Sequence, residues 1–258
     1  MAKVIFIGTG SGKTSLKRFH SSFLILTKDF NLLVDAGDGI SKALLTQNID
    51  FNTIDGVLFS HLHPDHYTGL AALIVQMKMY GRKNKLKIFI HKSLIKTIEN
   101  LLLNSYLFPG RLGFEIVYSG FEDDEKFNVA DSLNFLPKQN SHLSEVSKAG
   151  QHTGQSFSCS SFLFKVDEKT IQYTGDAGSI KDLLLFENFD VNFLITETTH
   201  IDIKKLLETA GKKIFPELIF LTHLTDDELP SLEKQIASLP GETSKKYIVA
   251  DDGMIINI

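Results

Sequence analysis

The chain has 258 residues, 43% of them hydrophobic, with 27 Lys and Arg against 31 Asp and Glu for a formal net charge of −4. This length and apolar content suit a substantial core within one large α/β domain over residues 1–258. The acidic balance weighs against a broad phosphate-backbone footprint, and no apolar run approaches the ~20 residues of a membrane span. Met1 to Gly8 reads as a short strand running into a glycine turn, with no signal-peptide apolar segment. A single cysteine, Cys159, excludes an internal disulfide. Both features suit a reducing cytoplasm.

The segment Gly8-Thr9-Gly10-Ser11-Gly12-Lys13-Thr14 has the look of a phosphate-binding loop. That loop needs G-x-x-x-x-G-K-[ST], and counting back five from Gly12 reaches Ile7. The residues after Thr14 are polar and do not read as the helix such a loop feeds. Strands are expected at 22–27 and 31–35, the second ending at Asp35 in a Gly-punctuated turn where Asp38 suits a turn or helix cap. A helix is expected over 39–47.

The apolar run Gly56 to Phe59 reads as a buried strand, and directly after it stands His61-Leu62-His63-Pro64-Asp65-His66. His61 and His63 are two apart, so an extended chain points both the same way. Pro64 suits the first turn of a helix, where its missing N–H costs nothing. Asp65 and His66 then lie on that turn and face a second point in space. Imidazole nitrogen and carboxylate oxygen are ligand types that zinc takes in open sites, so the spacing suits two adjacent metals. A helix over 67–80 follows, with Leu70, Leu73, Ile74 and Met77 on one core-facing stripe.

Further strands are expected at 86–91, 113–118, 132–138, 158–167, 169–174, 191–196, 217–222, 245–250 and 253–258, with helices at 93–103, 179–187, 201–211 and 226–238. Arg82, Lys83, Lys85, Lys87, Lys92 and Lys96 form one basic stretch, read as a solvated turn and helix face that would steer a nucleotide if it flanked the site. Cys159 reads as a packed strand thiol. Asp251-Asp252-Gly253 between the last two strands is a hairpin signal. Val34-Asp35-Ala36-Gly37 is weakly repeated as Gly175-Asp176-Ala177-Gly178, and Phe59 to Asp65 as Leu221 to Asp227. Two similar halves meeting at the site would explain this.

HxHxDH after an apolar strand resembles the metallo-β-lactamase superfamily of binuclear metal hydrolases. The resemblance implies a four-layer αββα sandwich. It makes Asp35 a support behind the metal loop. It makes Asp176, after the strand 169–174, the metal-bridging carboxylate, and His223, after 217–222, the last ligand. His142 or His152 supplies the remaining histidine: His142 follows its strand directly, and His152 lies nearer to Asp176. With His142, one metal is held by His61, His63 and His142, and the other by Asp65, His66 and His223. The metals would be two divalent ions, zinc by default, with manganese or iron as alternatives.

Gly-Thr-Gly-Ser, then Arg18, then Ser21-Ser22 before a strand is similar to the start of ribonuclease Z and its small phosphodiesterase relatives. Glu197 and Thr199 fit that branch's His-Glu-Ala-Thr segment, although Thr196 stands where its His would be. His200 lies nearby at a different spacing from the branch's downstream His. The long Gly/Pro-rich arm by which ribonuclease Z grips transfer RNA has no counterpart, and the stretch from His142 to Asp176 is too short for one. The implied function is a phosphodiesterase acting through a metal-bridging hydroxide on a small or cyclic phosphodiester or a nucleic-acid end. Asp65 would take the water's proton, and His200 with Glu197 would protonate the leaving oxygen. A lactonase, thioesterase or glyoxalase-like ester hydrolase would use the same metals, and a non-catalytic metal-binding sensor would keep them. The resembled phosphodiesterases are commonly homodimers.

Overall fold

In the computed structural model, residues 2–150 and 153–258 are described. The strands are β1 (Lys3–Gly8), β2 (Ser22–Leu26), β3 (Asn31–Val34), β4 (Gly56–Leu58), β5 (Leu86–His91), β6 (Ile116–Phe121), β7 (Phe127–Ala130), β8 (Leu133–Gln139), β9 (Ser160–Val166), β10 (Lys169–Tyr173), β11 (Phe193–Glu197), β12 (Leu218–Thr222), β13 (Tyr247–Val249) and β14 (Ile255–Asn257). They form two seven-stranded sheets, ordered β14-β1-β2-β3-β4-β5-β6 and β13-β12-β11-β10-β9-β8-β7. In the first, β14, β1, β2 and β3 pair antiparallel and β3 to β6 run parallel. The second repeats the pattern, with β7 to β10 antiparallel and β10 to β13 parallel.

The α-helices are α1 (Ile40–Thr46), α2 (Pro64–Tyr67), α3 (Leu70–Met79), α4 (Ile95–Asn104), α5 (Pro109–Leu112), α6 (Ser144–Gly150), α7 (Ile203–Thr209), α8 (Leu229–Ala237) and α9 (Gly241–Ser244). One apolar cluster joins α1, α3 and α4 to the outer face of the first sheet. Another joins α7, α8 and the 3-10 turn Ile180–Leu184 to the outer face of the second. Between the sheets lies a phenylalanine-rich layer that includes Phe6, Phe23, Phe89, Phe135, Phe162 and Phe220. Alternation along each strand sends one set of side chains to this layer and the other to the helices. Each fully buried ring contributes about 1.5–3 kcal/mol. The result is the four-layer αββα sandwich.

Several expectations are corrected. The last two strands are not a hairpin: β13 pairs with β12 in one sheet and β14 with β1 in the other. The Asp251-Asp252-Gly253 turn therefore carries the chain across the sandwich. The helix expected over 67–80 divides into α2 and α3. β6 begins three residues later than the expected 113–118, and β7 lies between two expected strands. The helix over 179–187 is a five-residue 3-10 turn, and that over 201–211 passes into a π-turn at Ala210–Ile214. Asp38 lies in the turn before α1, one of the two roles expected for it, and Gly39 is the N-cap.

The internal symmetry is real in topology, yet one pairing is displaced. β3 and β10 correspond, each following an antiparallel partner and opening a parallel run. β4 adjoins β3, so its counterpart is β11; β12, which precedes His223, lies one strand further out.

Candidate metal centre

Sequence-singled residues meet where the parallel strands end. Asp35 follows β3, the loop from Ser60 to His66 follows β4, Asp176 follows β10, Glu197 ends β11 and His223 follows β12. His142 stands three residues after β8. His63 is the N-cap of α2 and Pro64 its first residue, so Asp65 and His66 sit on the first turn. Gly37 lets this turn approach: a Cβ there would stand 1.9 Å from the Asp65 carbonyl oxygen. The backbone N–H of Ala36 donates to the His66 carbonyl at 2.6 Å.

Three donor groups result among the described residues. His61, His63, His142 and Asp176 form one; Asp65, His66, Asp176 and His223 form another; the third is Glu197, His200 and His223. The Oδ2 of Asp176 lies 3.9 Å from His61 Nε2 and 3.7 Å from His142 Nε2. Its Oδ1 lies 3.3 Å from His66 Nε2 and 3.4 Å from His223 Nε2. Asp65 Oδ2 is 3.3 Å from His223 Nε2 and 3.5 Å from His66 Nε2. His142 Nε2 and His63 Nδ1 are 3.1 Å apart. His152, the competitor to His142, lies outside the described residues.

Buried supports aim these groups. Asp35, fully buried, accepts from the Ser60 backbone N–H and hydroxyl at 2.8 Å each and from Tyr173 Oη at 2.9 Å. It also faces His66 Nδ1 at 2.9 Å. Because Ser60 donates its proton to Asp35, its oxygen is free to accept from His61 Nδ1, 3.0 Å away. Both rings then carry hydrogen on Nδ1 and turn Nε2 inward. Those two Nε2 atoms are buried and make no hydrogen bond among the described residues. An orphaned buried nitrogen costs about 1–3 kcal/mol, and a cation would satisfy both. The donor set therefore fits divalent metal ions.

The second half is braced likewise. The Asn140 side-chain amide donates to the carbonyls of Thr174 and Asp176, and its oxygen accepts the His142 backbone N–H at 3.1 Å. Asp182 accepts from Gly178 N–H at 2.8 Å and from the Ser141 hydroxyl at 2.7 Å. His223 has φ +54° and places Nδ1 3.1 Å from the Thr199 hydroxyl. Glu197 is buried, accepts the His200 backbone N–H at 2.8 Å and lies 3.4 Å from His200 Nδ1. His200 stands at the cleft, 3.9 Å from Asp176 Oδ2.

Burial pushes His61 and His63 down, and His142 to about 4. Burial also opposes charge on His66, but Asp176 and Asp35 outweigh it and raise this ring well above the ordinary value. Asp176 is held well below the usual carboxylate range, because His223 and His66 overcome its burial. Burial raises Asp65, yet hydrogen bonds from His223 and His66 more than offset it and keep the carboxyl low. The hydrogen bond to Glu197 raises His200. Protons and cations compete for this pocket, so its metal affinity weakens as pH is lowered.

Sequence reading missed several contributors. Ser11, Gly12 and Lys13, from the rejected phosphate-loop decoy, line the metal cleft of about 280 Å³ beside His63, Asp65 and His223. β1 leads to β2 through an extended loop rather than a helix. Arg18 pins that loop, donating to Thr9 Oγ1, the Ala250 carbonyl and Asp251. Thr225 and Thr199 also line the cleft. The basic stretch does not: none of its six residues lines it, and Arg82 is buried, donating to the carbonyls of Asn84 and Lys85. Cys159 is fully buried, and burial raises its thiol well above the ordinary value. No helix among the described residues is long and apolar enough to cross a membrane.

The sandwich and its strand-end His/Asp groups define a hydrolase of the metallo-β-lactamase superfamily, in the ribonuclease Z-like branch. Among solved structures, the metallo-β-lactamase fold protein YhfI from Bacillus subtilis superposes with TM-score 0.73 at 19% identity, over 99% of this chain and 98% of its own. The chain belongs to the family described as anti-Pycsar protein Apyc1, whose model matches residues 2–239. Ribonuclease Z of Sulfurisphaera tokodaii is 27% identical over 233 residues, covering 80% of this chain and 78% of that protein. Ribonuclease Z of Saccharolobus solfataricus is 30% identical over 140 residues, and this match spans 54% of the chain and only 41% of the relative.

Proposed function

We propose that the chain is a binuclear metal-dependent phosphodiesterase, one functional domain over residues 1–258, acting on a small or cyclic phosphodiester or a nucleic-acid end. The observation that carries this reading is Asp176, whose Oδ2 faces His61 and His142 while its Oδ1 faces His66 and His223. One carboxylate thus serves two donor sets. His61, His63 and His142 would hold one cation, and Asp65, His66 and His223 the other. Zinc suits these donors, and manganese and iron also take them. Two such cations, when bound, bring a water's pKa toward neutral and stabilise charge on the attacking and leaving oxygens.

The chain's own residues supply the proton transfers. Asp65 lines the cleft and would accept the water's proton on its carboxylate. The hydrogen bond to Glu197 raises His200 above its ordinary value, and the ring lines the cleft, from where it would give a proton to the leaving oxygen. Glu197 positions His200 and does not itself line the cleft. Lys13 is the only lysine or arginine lining the cleft among the described residues, and its ammonium pairs with Asp227. The ribonucleases Z among the relatives support the same substrate class. We place this activity in the cytoplasm, where Cys159 remains a thiol.

The test is hydrolysis of bis(p-nitrophenyl) phosphate with zinc or manganese and a chelated control, beside a thioester and a lactone. Metal-dependent cleavage of the diester alone is expected. Turnover of the thioester or lactone instead would overturn the phosphodiesterase reading. Asp65→Ala and His63→Ala should each abolish turnover in a folded protein; full activity in metal-replete Asp65→Ala would refute its role. Sedimentation analysis checks the homodimer implied by the resemblance.

A further inference from the structure

His91 ends β5, and Ser93 follows it in the 3-10 turn Lys92–Leu94 that leads into α4. Asp123 stands two residues after β6. Ser156, Ser158 and Ser160 alternate along the chain into β9 and turn to the same side, toward these residues. The cluster lies outside the metal centre: none of its members lines the cleft or belongs to a metal-donor group.

Hydrogen bonds fix the state of the His91 ring. The Ser93 backbone N–H donates to Nδ1 at 3.3 Å, so this nitrogen carries no proton. The Ser93 hydroxyl, 2.7 Å from the same atom, therefore donates to it. The ring hydrogen sits on Nε2 and faces Asp123 Oδ2, within ion-pair range at 3.8 Å. Asp123 is held in turn, its Oδ1 accepting from the Ser160 hydroxyl at 2.8 Å. Phe121 meets the His91 ring edge-on, with centroids 5.9 Å apart. With its own proton committed to the ring, the Ser93 oxygen accepts from the Ser156 and Ser158 hydroxyls at 2.6 and 2.9 Å. Ser158 also lies 3.1 Å from Nδ1. Ser93 is exposed, whereas His91, Asp123 and Ser158 are half-buried. An accessible hydroxyl, a base that takes its proton and a carboxylate behind the base are the parts of an activated nucleophile.

We propose that Ser93, with His91 as its base and Asp123 behind that base, is a second nucleophilic site, independent of metal, that takes an acyl group from a small activated carboxylic ester. Ser93 Oγ bonds to the carbonyl carbon, and the bond from that carbon to the leaving oxygen breaks. The Ser93 proton passes to His91 Nδ1 and from there to the leaving oxygen. Asp123 stabilises the imidazolium between the two transfers. The N-terminal end of α4 favours the negative charge that develops on the carbonyl oxygen. Water releases the acid from Ser93 by the same steps in reverse.

The experiment treats the metal-replete protein with diisopropyl fluorophosphate, a probe of the same attack. Ser93 Oγ bonds to phosphorus, the P–F bond breaks, fluoride leaves and His91 takes the proton. Peptide mass mapping should find one adduct, on Ser93, and none in Ser93→Ala. His91→Ala should slow labelling roughly 100-fold, the usual contribution of a general base. His91→Gln replaces it should the alanine impair folding. Elemental analysis should show the same metal content in every variant, which separates this site from the metal centre. Labelling no greater than in the urea-denatured chain, an adduct on Ser158 or elsewhere instead, or an undiminished rate in the His91 variants overturns the proposal.

Discussion

Tyr173, the last residue of β10 in the second sheet, donates its hydroxyl to Asp35 at the end of β3 in the first, across 2.9 Å. This bond ties the two halves directly beneath the metal loop. Phe23 packs edge-on against the Tyr173 ring, with centroids 4.9 Å apart, so the intersheet layer itself aims the hydroxyl. Both groups are buried, and burial raises the Tyr173 phenol well above its ordinary value, so it remains a donor throughout the working pH range.

Asp35→Ala should weaken metal binding by about 10–100-fold, the usual effect of removing an outer partner of a ligating histidine. Tyr173→Phe removes one of the donors to Asp35 and should cost about 1 kcal/mol. A metal titration and a denaturant melt read the two effects. Unchanged affinity in Asp35→Ala would show that His66 is oriented by something else.

His142→Ala should lower the metal content of the purified protein, whereas His152→Ala should leave it unchanged. His142 shares a donor group with His61, His63 and Asp176. Elemental analysis of both variants decides the matter, and loss of metal only in His152→Ala would reverse the assignment.

Gly178→Ala should disturb the same half-site without touching a ligand. An added Cβ would come within 2.4 Å of the Ser141 carbonyl and 2.6 Å of the His142 nitrogen, which are backbone atoms that cannot step aside alone. The overpacking should cost about 1–3 kcal/mol and reduce metal occupancy. Gly241→Ala, where no atom stands within 4 Å, serves as the control. Equal melting temperatures for the two variants would contradict the close approach.

Much of this site was legible because its first group is local. The spacing of His61, His63, Asp65 and His66, with Pro64 between, translates directly into a strand end and a helical first turn. Asp176 and His223 were marked by apolar runs that end beside them. The supports were not marked: Ser60 is an ordinary loop residue and Tyr173 an ordinary strand residue until the sheets close on Asp35. Lys13 stood in a segment that resembled a different motif, and only its folded path brings it to the cleft.

The metal-free protein should show a pH dependence traceable to His142. Burial lowers this ring to about 4, against 6.5 in the unfolded chain. Above 6.5 it is neutral in both states and its contribution is fully present. As pH falls from 6.5 toward 4, the unfolded chain binds a proton that the folded one refuses, so stability drops. With chelator present, the stability difference between wild type and His142→Gln should shift against the wild type across that window. A difference independent of pH would place the proton elsewhere.

By itself the sequence determined the local chemistry: which strand ends bear Asp or His, how the HxHxDH segment divides its donors, and that the strands are numerous enough for two sheets. Those features depend on residues a few positions apart, whose geometry the backbone periods dictate. The tertiary structure alone decided that the two oxygens of Asp176 face different donor groups and that Tyr173 reaches Asp35. It also sent β13 and β14 to opposite sheets although only Ala250 to Met254 separate them. The Asp-Asp-Gly signal describes a turn but not its destination. That destination is set by Asp252, which accepts from Thr9 and Phe19, and by Arg18, which reaches Ala250 and Asp251. Such partners lie more than 200 residues apart and meet only when the apolar faces of both sheets are buried together.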